Sequence, residues 1–270
     1  SLVLRAPFIL YFFVFLSILM SFLSYWYSDK FILRITRARP IRKEDSPELF
    51  RLVENLAITA GLPLPKIYIL DELQLNAFTT GRDAKRAVIV VTVGLLKKLE
   101  RAELEGVISH EMAHIGNKDM LLSTVIVILS GIVVMAADFF LRVAFSSGLS
   151  RGFRSRESSS LYFLILIISL VMVVLAPLFA TLIRLAISRK REFLADASGA
   201  LLTRYPEGVA RALKKISQDQ TPMRKASDAT AHLFIDNPFR GKERANWLSK
   251  LFLTHPPIEE RIKALQGMQI

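Results

Sequence analysis

Three long runs without a charged residue decide most of what this chain can fold into. Ala6 to Trp26 is the first, Met120 to Ala137 the second and Ser158 to Ile183 the third. Each approaches or exceeds the roughly 20 helical residues that cross the apolar core of a bilayer. A helix that is apolar on every face has no side to show to water, so membrane helices are expected rather than core helices of a soluble domain. The first run closes on Tyr25, Trp26 and Tyr27, the aromatic belt of a headgroup interface. The second extends to Phe145 if Asp138 and Arg142 pair four apart on the helix, and Pro177 lies inside the third, where membrane helices tolerate it. A mean hydropathy of +0.37 excludes a disordered chain. The lack of cysteine excludes a disulfide-stapled secreted module and agrees with a reducing compartment.

The net charge of +12 does not point to nucleic acid, because of where it sits. Lys30, Arg34, Arg37, Arg39, Arg42 and Lys43 follow the first run, and Arg184, Arg189, Lys190 and Arg191 follow the third. Basic residues just outside apolar runs mark the cytoplasmic side of a membrane and bind anionic headgroups. The link between the second and third runs also carries Arg151, Arg154 and Arg156, but the larger clusters set the expected orientation. The expectation is therefore an integral protein of the cytoplasmic membrane, in contact with the lipid bilayer, with its polar parts facing the cytoplasm. The chain starts at Ser1 with an apolar run almost at once, as a chain missing an N-terminal segment would; the run is too long, and too aromatic at its end, for a cleavable signal peptide.

The polar stretches read as mixed α and β. Ser46-Pro47-Glu48 starts a helix, Leu49, Leu52, Val53 and Leu56 give it an apolar stripe, and Gly61 stops it. Lys66 to Leu70 and Ala87 to Val93 read as strands. Between them Leu75 to Thr80 ends at Gly81 and Arg82 to Arg86 is a polar turn, a strand, turn, strand arrangement.

The chemistry enters with His110-Glu111-Met112-Ala113-His114, on a segment that reads as helix from near Arg101. Residues four apart share a helix face, so His110 and His114 can direct both imidazoles at one metal ion with Glu111 beside it. A catalytic zinc needs a third protein ligand and an open position for water. The pattern with a third histidine shortly downstream fails, since Asn117 and Met120 occupy those places. Glu192 is the better candidate, with Asp196 on the same helical face placed to accept the second N–H of a ligand imidazole. The separation of 78 positions from His114 to Glu192 takes in the second and third apolar runs, and a helical hairpin that enters and leaves the membrane returns the chain to its starting point. The second run starts about 9 Å of helix after His114 and Glu192 follows the third by about 14 Å, which puts the metal just above the bilayer surface.

These residues, taken in order with Asn76-Ala77-Phe78-Thr79-Thr80-Gly81, Val91-Thr92-Val93-Gly94-Leu95-Leu96 and His255-Pro256-Pro257-Ile258-Glu259-Glu260-Arg261, resemble the membrane zinc metallopeptidases of the HtpX type, related to the proteases that trim prenylated CaaX proteins. The resemblance covers most of the chain. It implies an α+β fold: a mainly helical integral membrane protein whose zincin-like (gluzincin) catalytic domain carries a small β-sheet and an inserted membrane hairpin. The expected division is a transmembrane helix over 1–27, a first catalytic part with the zinc-binding helix over 28–119, the hairpin over 120–187, and a second catalytic part with the third ligand over 188–270. The resemblance further implies one Zn2+ held by His110, His114 and Glu192, with Glu111 as general base. It suggests that Asn76, with Ala77 and Phe78, lies on an edge strand that pairs with extended substrate. It makes His255 and Arg261 substrate or transition-state contacts, since a cationic or hydrogen-donating group is needed where charge develops on the carbonyl oxygen. From local sequence alone Asn76 is an ordinary turn residue, His255 before two prolines a helix-boundary residue and Arg261 a solvated charge. His232 reads as a surface residue.

The expected reaction is peptide-bond hydrolysis by a zinc-activated water whose proton Glu111 accepts and passes to the leaving amine. The resemblance implies polypeptide substrates, misfolded or membrane-associated, in quality control. Two other readings stand beside it. A CaaX-type protease shares every catalytic residue but needs a chamber of more helices than the three visible. A non-enzymatic membrane adaptor has no use for an intact set of ligands and base. Members of the HtpX type usually carry one more membrane helix before the first run, so the chain is expected to be a fragment or a short variant.

Overall fold

A computed structural model of the chain describes residues 15, 16, 19, 26, 27, 29–123, 125, 126, 129, 159–223, 233–236 and 255–268. After a helical stretch over residues 29–36, α1 (Pro47–Ala60) has the bounds its sequence signals set: Pro47 takes the first helical position and Gly61, at φ 65°, ends it in the left-handed conformation. Ser46 precedes it without a side-chain capping bond. Its stripe of Leu49, Leu52, Val53 and Leu56 is buried.

Four strands form one mixed sheet in the order β1-β2-β4-β3. They are β1 (Arg39–Pro40), β2 (Lys66–Leu70), β3 (Ala77–Thr80) and β4 (Val88–Thr92). β2 and β4 run parallel, with Ile67 opposite Ile89, while β1 on β2 and β3 on β4 are antiparallel. Two residues of β1 carry no periodicity, so nothing in the sequence marks that strand. β4 also stops one residue short of the expected Val93, because the Thr92 hydroxyl accepts from Leu95 N and caps a short helix, α2 (Val93–Lys98).

α3 (Arg101–Gly116) carries the His-Glu-x-x-His motif and starts where Glu103 Oε2 accepts from Glu100 N at 2.9 Å. From Gly106 to Ala113 every residue of α3 is buried, so the helix is the middle layer of the domain. It lies between the sheet with α1 and the helices α4 (Ser159–Thr203) and α5 (Pro206–Gln218), with α6 (Ile258–Gln266) closing the end. The core joins Val53, Ile89, Val91, Ile108, Met112 and Leu213, each worth about 1.5–3 kcal/mol of burial. A smaller cluster on the other sheet face sets Phe78 edge-on to Phe234 at 5.1 Å.

The first and second apolar runs, like Asp138, Arg142 and His232, fall wholly or largely outside the described residues. The third forms the first half of α4, where the described side chains are those at 167, 170, 171 and from 175 onward. Among the described residues no helix is long and apolar enough to cross a membrane. α4 continues past Ile183 without a break to Thr203, so one rod carries the end of the third run and both acids, Glu192 and Asp196.

Candidate active site

α3 and α4 can bring their polar residues together because Gly199 faces the backbone of His110. A Cβ on Gly199 would lie 2.9 Å from His110 N, closer than real Cβ contacts come. One turn before that contact stand Asp196 and, a further turn back, Glu192. His110, His114 and Glu192 each offer a ligand atom within 4.8 Å of the others. The two imidazole Nε2 atoms are 3.1 Å apart, with the rings edge-to-face at 88°. Glu192 Oε1 is 3.6 Å from His114 Nε2, and its Oε2 is 3.8 Å from His110 Nε2.

The outer ring nitrogens decide what the inner ones can do. His110 Nδ1 is 2.9 Å from Asp196 Oδ1, and His114 Nδ1 is 2.6 Å from Asp119 Oδ2. Each carboxylate accepts a proton-bearing Nδ1, which leaves two Nε2 lone pairs aimed at one point. Two facing acceptors need a proton or a metal ion between them, and the buried Glu192 Oε2 beside them has no hydrogen-bond donor. A cation satisfies all three. Ligand atoms of a tetrahedral Zn2+ with bonds of about 2.0–2.1 Å stand about 3.4 Å from one another, and the three separations bracket that value.

Arg261 is fully buried and donates through Nε and Nη2 to Asp196, both at 2.7 Å. Its Nη1 is 3.3 Å from Glu192 Oε2 and donates to the Ile235 carbonyl at 3.4 Å. Local sequence marked Arg261 as a solvated charge. That reading is overturned, because the residues it balances lie 65 positions or more up the chain, out of reach of any local pattern. His255 does stand at a helix boundary, before α6, and its Nδ1 is 3.1 Å from Glu192 Oε2. The contact is a close electrostatic one, and both ring nitrogens are without a further hydrogen-bond partner.

Burial pushes the Glu192 carboxyl up, but the charges of His255, Arg261 and His114 outweigh it and hold the group well below the usual carboxylate range. Burial acts the same way on Asp196, and the Arg261 charge and hydrogen bonds bring it down to about 2. Burial lowers His114, whereas the Asp119 hydrogen bond and the charges of Glu192 and Glu111 raise it to about 9. The site is built to retain positive charge, as a proton or as a metal ion.

Glu111 is buried beside the histidine pair, and its Oε2 accepts from the Thr79 hydroxyl at 2.6 Å. Thr79 belongs to β3, which is an edge strand of the sheet. Asn76 and Ala77 also lie at that edge, but Asn76 Nδ2 donates to the Asp236 carbonyl at 3.0 Å and Ala77 O accepts from Ile235 N at 3.1 Å. Phe78 is buried against Phe234. Sequence reasoning passed over Thr79, Asp119 and Arg191. Asp119, five residues after His114, and Arg191, immediately before Glu192, were the available signals.

The sequence profile of peptidase family M48 matches residues 43–269. The chain belongs to peptidase family M48. It is 47% identical over 253 residues to a protease HtpX homolog of Caldanaerobacter subterraneus subsp. tengcongensis, covering 94% of this chain and 82% of that one. Against the protease HtpX homolog of Pyrococcus furiosus the identity is 44% over 253 residues, covering 93% and 83%. The crystal structure of S. mikatae Ste24p superposes with a TM-score of 0.55 at 22% identity, a likeness of fold. It covers 97% of this chain, which spans 59% of that protein. The resemblance read from the motifs is borne out, and this M48 member is a metalloprotease with a His-His-Glu cluster that can hold the metal.

Proposed function

We propose that this M48 protease is a zinc-dependent endopeptidase working just above a membrane surface on misfolded or membrane-associated polypeptides, in the manner of protein quality control. The observation that carries it is the pair of Nε2 atoms facing each other at 3.1 Å, each imidazole held from behind by a carboxylate, with Glu192 alongside. Two imidazoles and one carboxylate suit Zn2+ and leave room for a fourth ligand.

Zinc held by His110, His114 and Glu192 would supply Lewis-acid polarisation of the scissile carbonyl and a lowered pKa for the attacking water, toward about 7. Glu111 takes the proton of that water and returns it to the leaving amine. The Thr79 hydroxyl occupies Glu111 Oε2, which leaves Oε1 for the proton. His255, with two uncommitted ring nitrogens beside Glu192, is placed to donate to the oxyanion. Arg261 supports this through the two carboxylates it grips. An extended substrate pairs with the β3 edge. Antiparallel pairing alternates inward and outward main-chain groups, so with Phe78 turned to β4 the outward residues are Ala77 and Thr79. Ile235 already takes Ala77 O, and among the described residues the unoccupied stretch is the one at Thr79 next to Glu111; Asn76 and Phe78 shape its other end.

The membrane location is supported by large apolar side chains exposed along the three runs, among them Phe15, Trp26, Leu129, Leu170, Phe179 and Ile183. Such a set facing water is costly, and lipid covers it. The basic clusters after the first and third runs support a catalytic part on the cytoplasmic side. A Ser147→Cys thiol should react with an impermeant reagent only from the opposite side; labelling from the cytoplasm alone would sink the spanning hairpin.

The function itself is tested with detergent-solubilised protein and its Glu111→Gln variant. Equimolar zinc in both, with casein cleaved only by the parent, is expected. Cleavage by the variant at the parental rate would remove Glu111 from its role.

A further inference from the structure

Asp119 and Arg191 bracket the stretch that the chain inserts between its metal helix and its third ligand. Asp119 directly precedes Met120, where the second apolar run begins, and Arg191 directly precedes Glu192. The two residues meet. Arg191 donates to Asp119 Oδ1 through Nε and Nη2, and Nη2 also donates to the Asn117 carbonyl at 2.8 Å. The other carboxylate oxygen, Oδ2, holds His114 Nδ1 at 2.6 Å.

The backbone is bent to make this possible. An aspartate five places beyond a helical histidine does not share its face. α3 ends at Gly116 with Asn117 as its cap, and Lys118 then takes φ 57°, a left-handed conformation that a lysine seldom adopts. That reversal turns Asp119 back beneath His114. Strained backbone of this kind persists where the surroundings over-determine it, often next to a working site.

We propose that Asp119 and Arg191 are positioning residues, a clamp that sets the His114 imidazole for the metal and makes that setting depend on the two ends of the inserted stretch being held together. The proposal rests on His110, His114 and Glu192 being the metal ligands. Asp119 keeps the proton on Nδ1 and so the lone pair on Nε2. Arg191 fixes the rotation of the Asp119 carboxylate, and as the neighbour of Glu192 it ties the support of one ligand to the position of another.

The test uses the full chain in detergent, stripped with a chelator and titrated with Co2+, read by visible absorption and by competition with a chelating dye. Asp119→Asn and Arg191→Gln should each weaken Co2+ binding about 10–100-fold and alter the spectrum, with Arg191→Lys in between. The double variant should be no weaker than the worse single one, because both act through one chain of contacts. With saturating zinc, kcat for casein should fall and KM should hold. Thermal unfolding of the stripped proteins verifies that each variant is folded. Co2+ affinity within twofold of the parent with the parental spectrum in both single variants, or a double variant that loses the product of the two effects, overturns the clamp while leaving the metal site standing. A parent that takes up no Co2+ overturns the metal reading and the clamp with it.

Discussion

The two histidines of the His-Glu-x-x-His motif are supported by the same device built twice in different surroundings. His110, Asp196 and Arg261 form one series of imidazole, carboxylate and guanidinium, with side chains 0%, 3% and 0% exposed. His114, Asp119 and Arg191 form the other, at 16%, 11% and 23%. The inner series is sealed between α3, α4 and α6. The outer one joins residues just after α3 to a residue of α4 and is less deeply buried. In water a guanidinium and a carboxylate gain little from each other, whereas in the interior each is a severe liability without its partner. The inner series should therefore carry fold and site together, and the outer one the site more than the fold.

The largest effect expected is at Arg261. Arg261→Met removes the guanidinium that Asp196 and Glu192 share, leaving only imidazoles beside two buried carboxylates, and should cost about 3–5 kcal/mol of unfolding free energy, measured in urea on the chelated protein. A loss below about 1 kcal/mol would erase the contrast between the two series.

Titration separates the series by direction. Asp196 is held at about 2, against about 3.9 in an unfolded chain, so its stabilisation is complete above about pH 4 and is lost as pH falls toward 2. His114 is raised to about 9, against about 6.5 unfolded, so in chelated protein its contribution is complete below about pH 6.5 and is lost as pH rises through 9. Urea midpoints from pH 3 to 9 should fall at both ends. Arg261→Met should remove the acid limb, and Asp119→Asn should flatten the alkaline one.

Gly199→Ala tests the helix contact that both series share. Its Cβ would meet His110 N at 2.9 Å, and backbone against backbone has little room to yield. A loss of about 1–3 kcal/mol is expected, with weaker metal binding on equilibrium dialysis. The smallest effect on stability belongs to Arg191→Met, about 1 kcal/mol, even where its effect on metal affinity is large.

What the sequence made legible was what is local. Ser46-Pro47 and Gly61 set α1, β-branched runs marked β2 and β4, and helical spacing put His110 with His114 and Glu192 with Asp196 on their faces. What escaped depends on residues far apart in the chain or on a backbone turn that no periodicity encodes. Arg261 reads as solvated until Asp196 is placed beside it. Asp119 misses the four-residue rule because Lys118 reverses the chain first. Segment 233–236 lies on the β3 edge through single bonds at Ala77 and Asn76, which leave no mark in either sequence.

The claim on which the rest depends is that two imidazoles and one carboxylate of this chain bind one zinc. X-ray absorption at the zinc edge of the purified, zinc-loaded protein tests it most directly. The account predicts one zinc per chain with two imidazoles at about 2.0–2.1 Å, falling to one imidazole in His114→Ala. A shell of oxygen alone, or two imidazoles that survive that substitution, would contradict it.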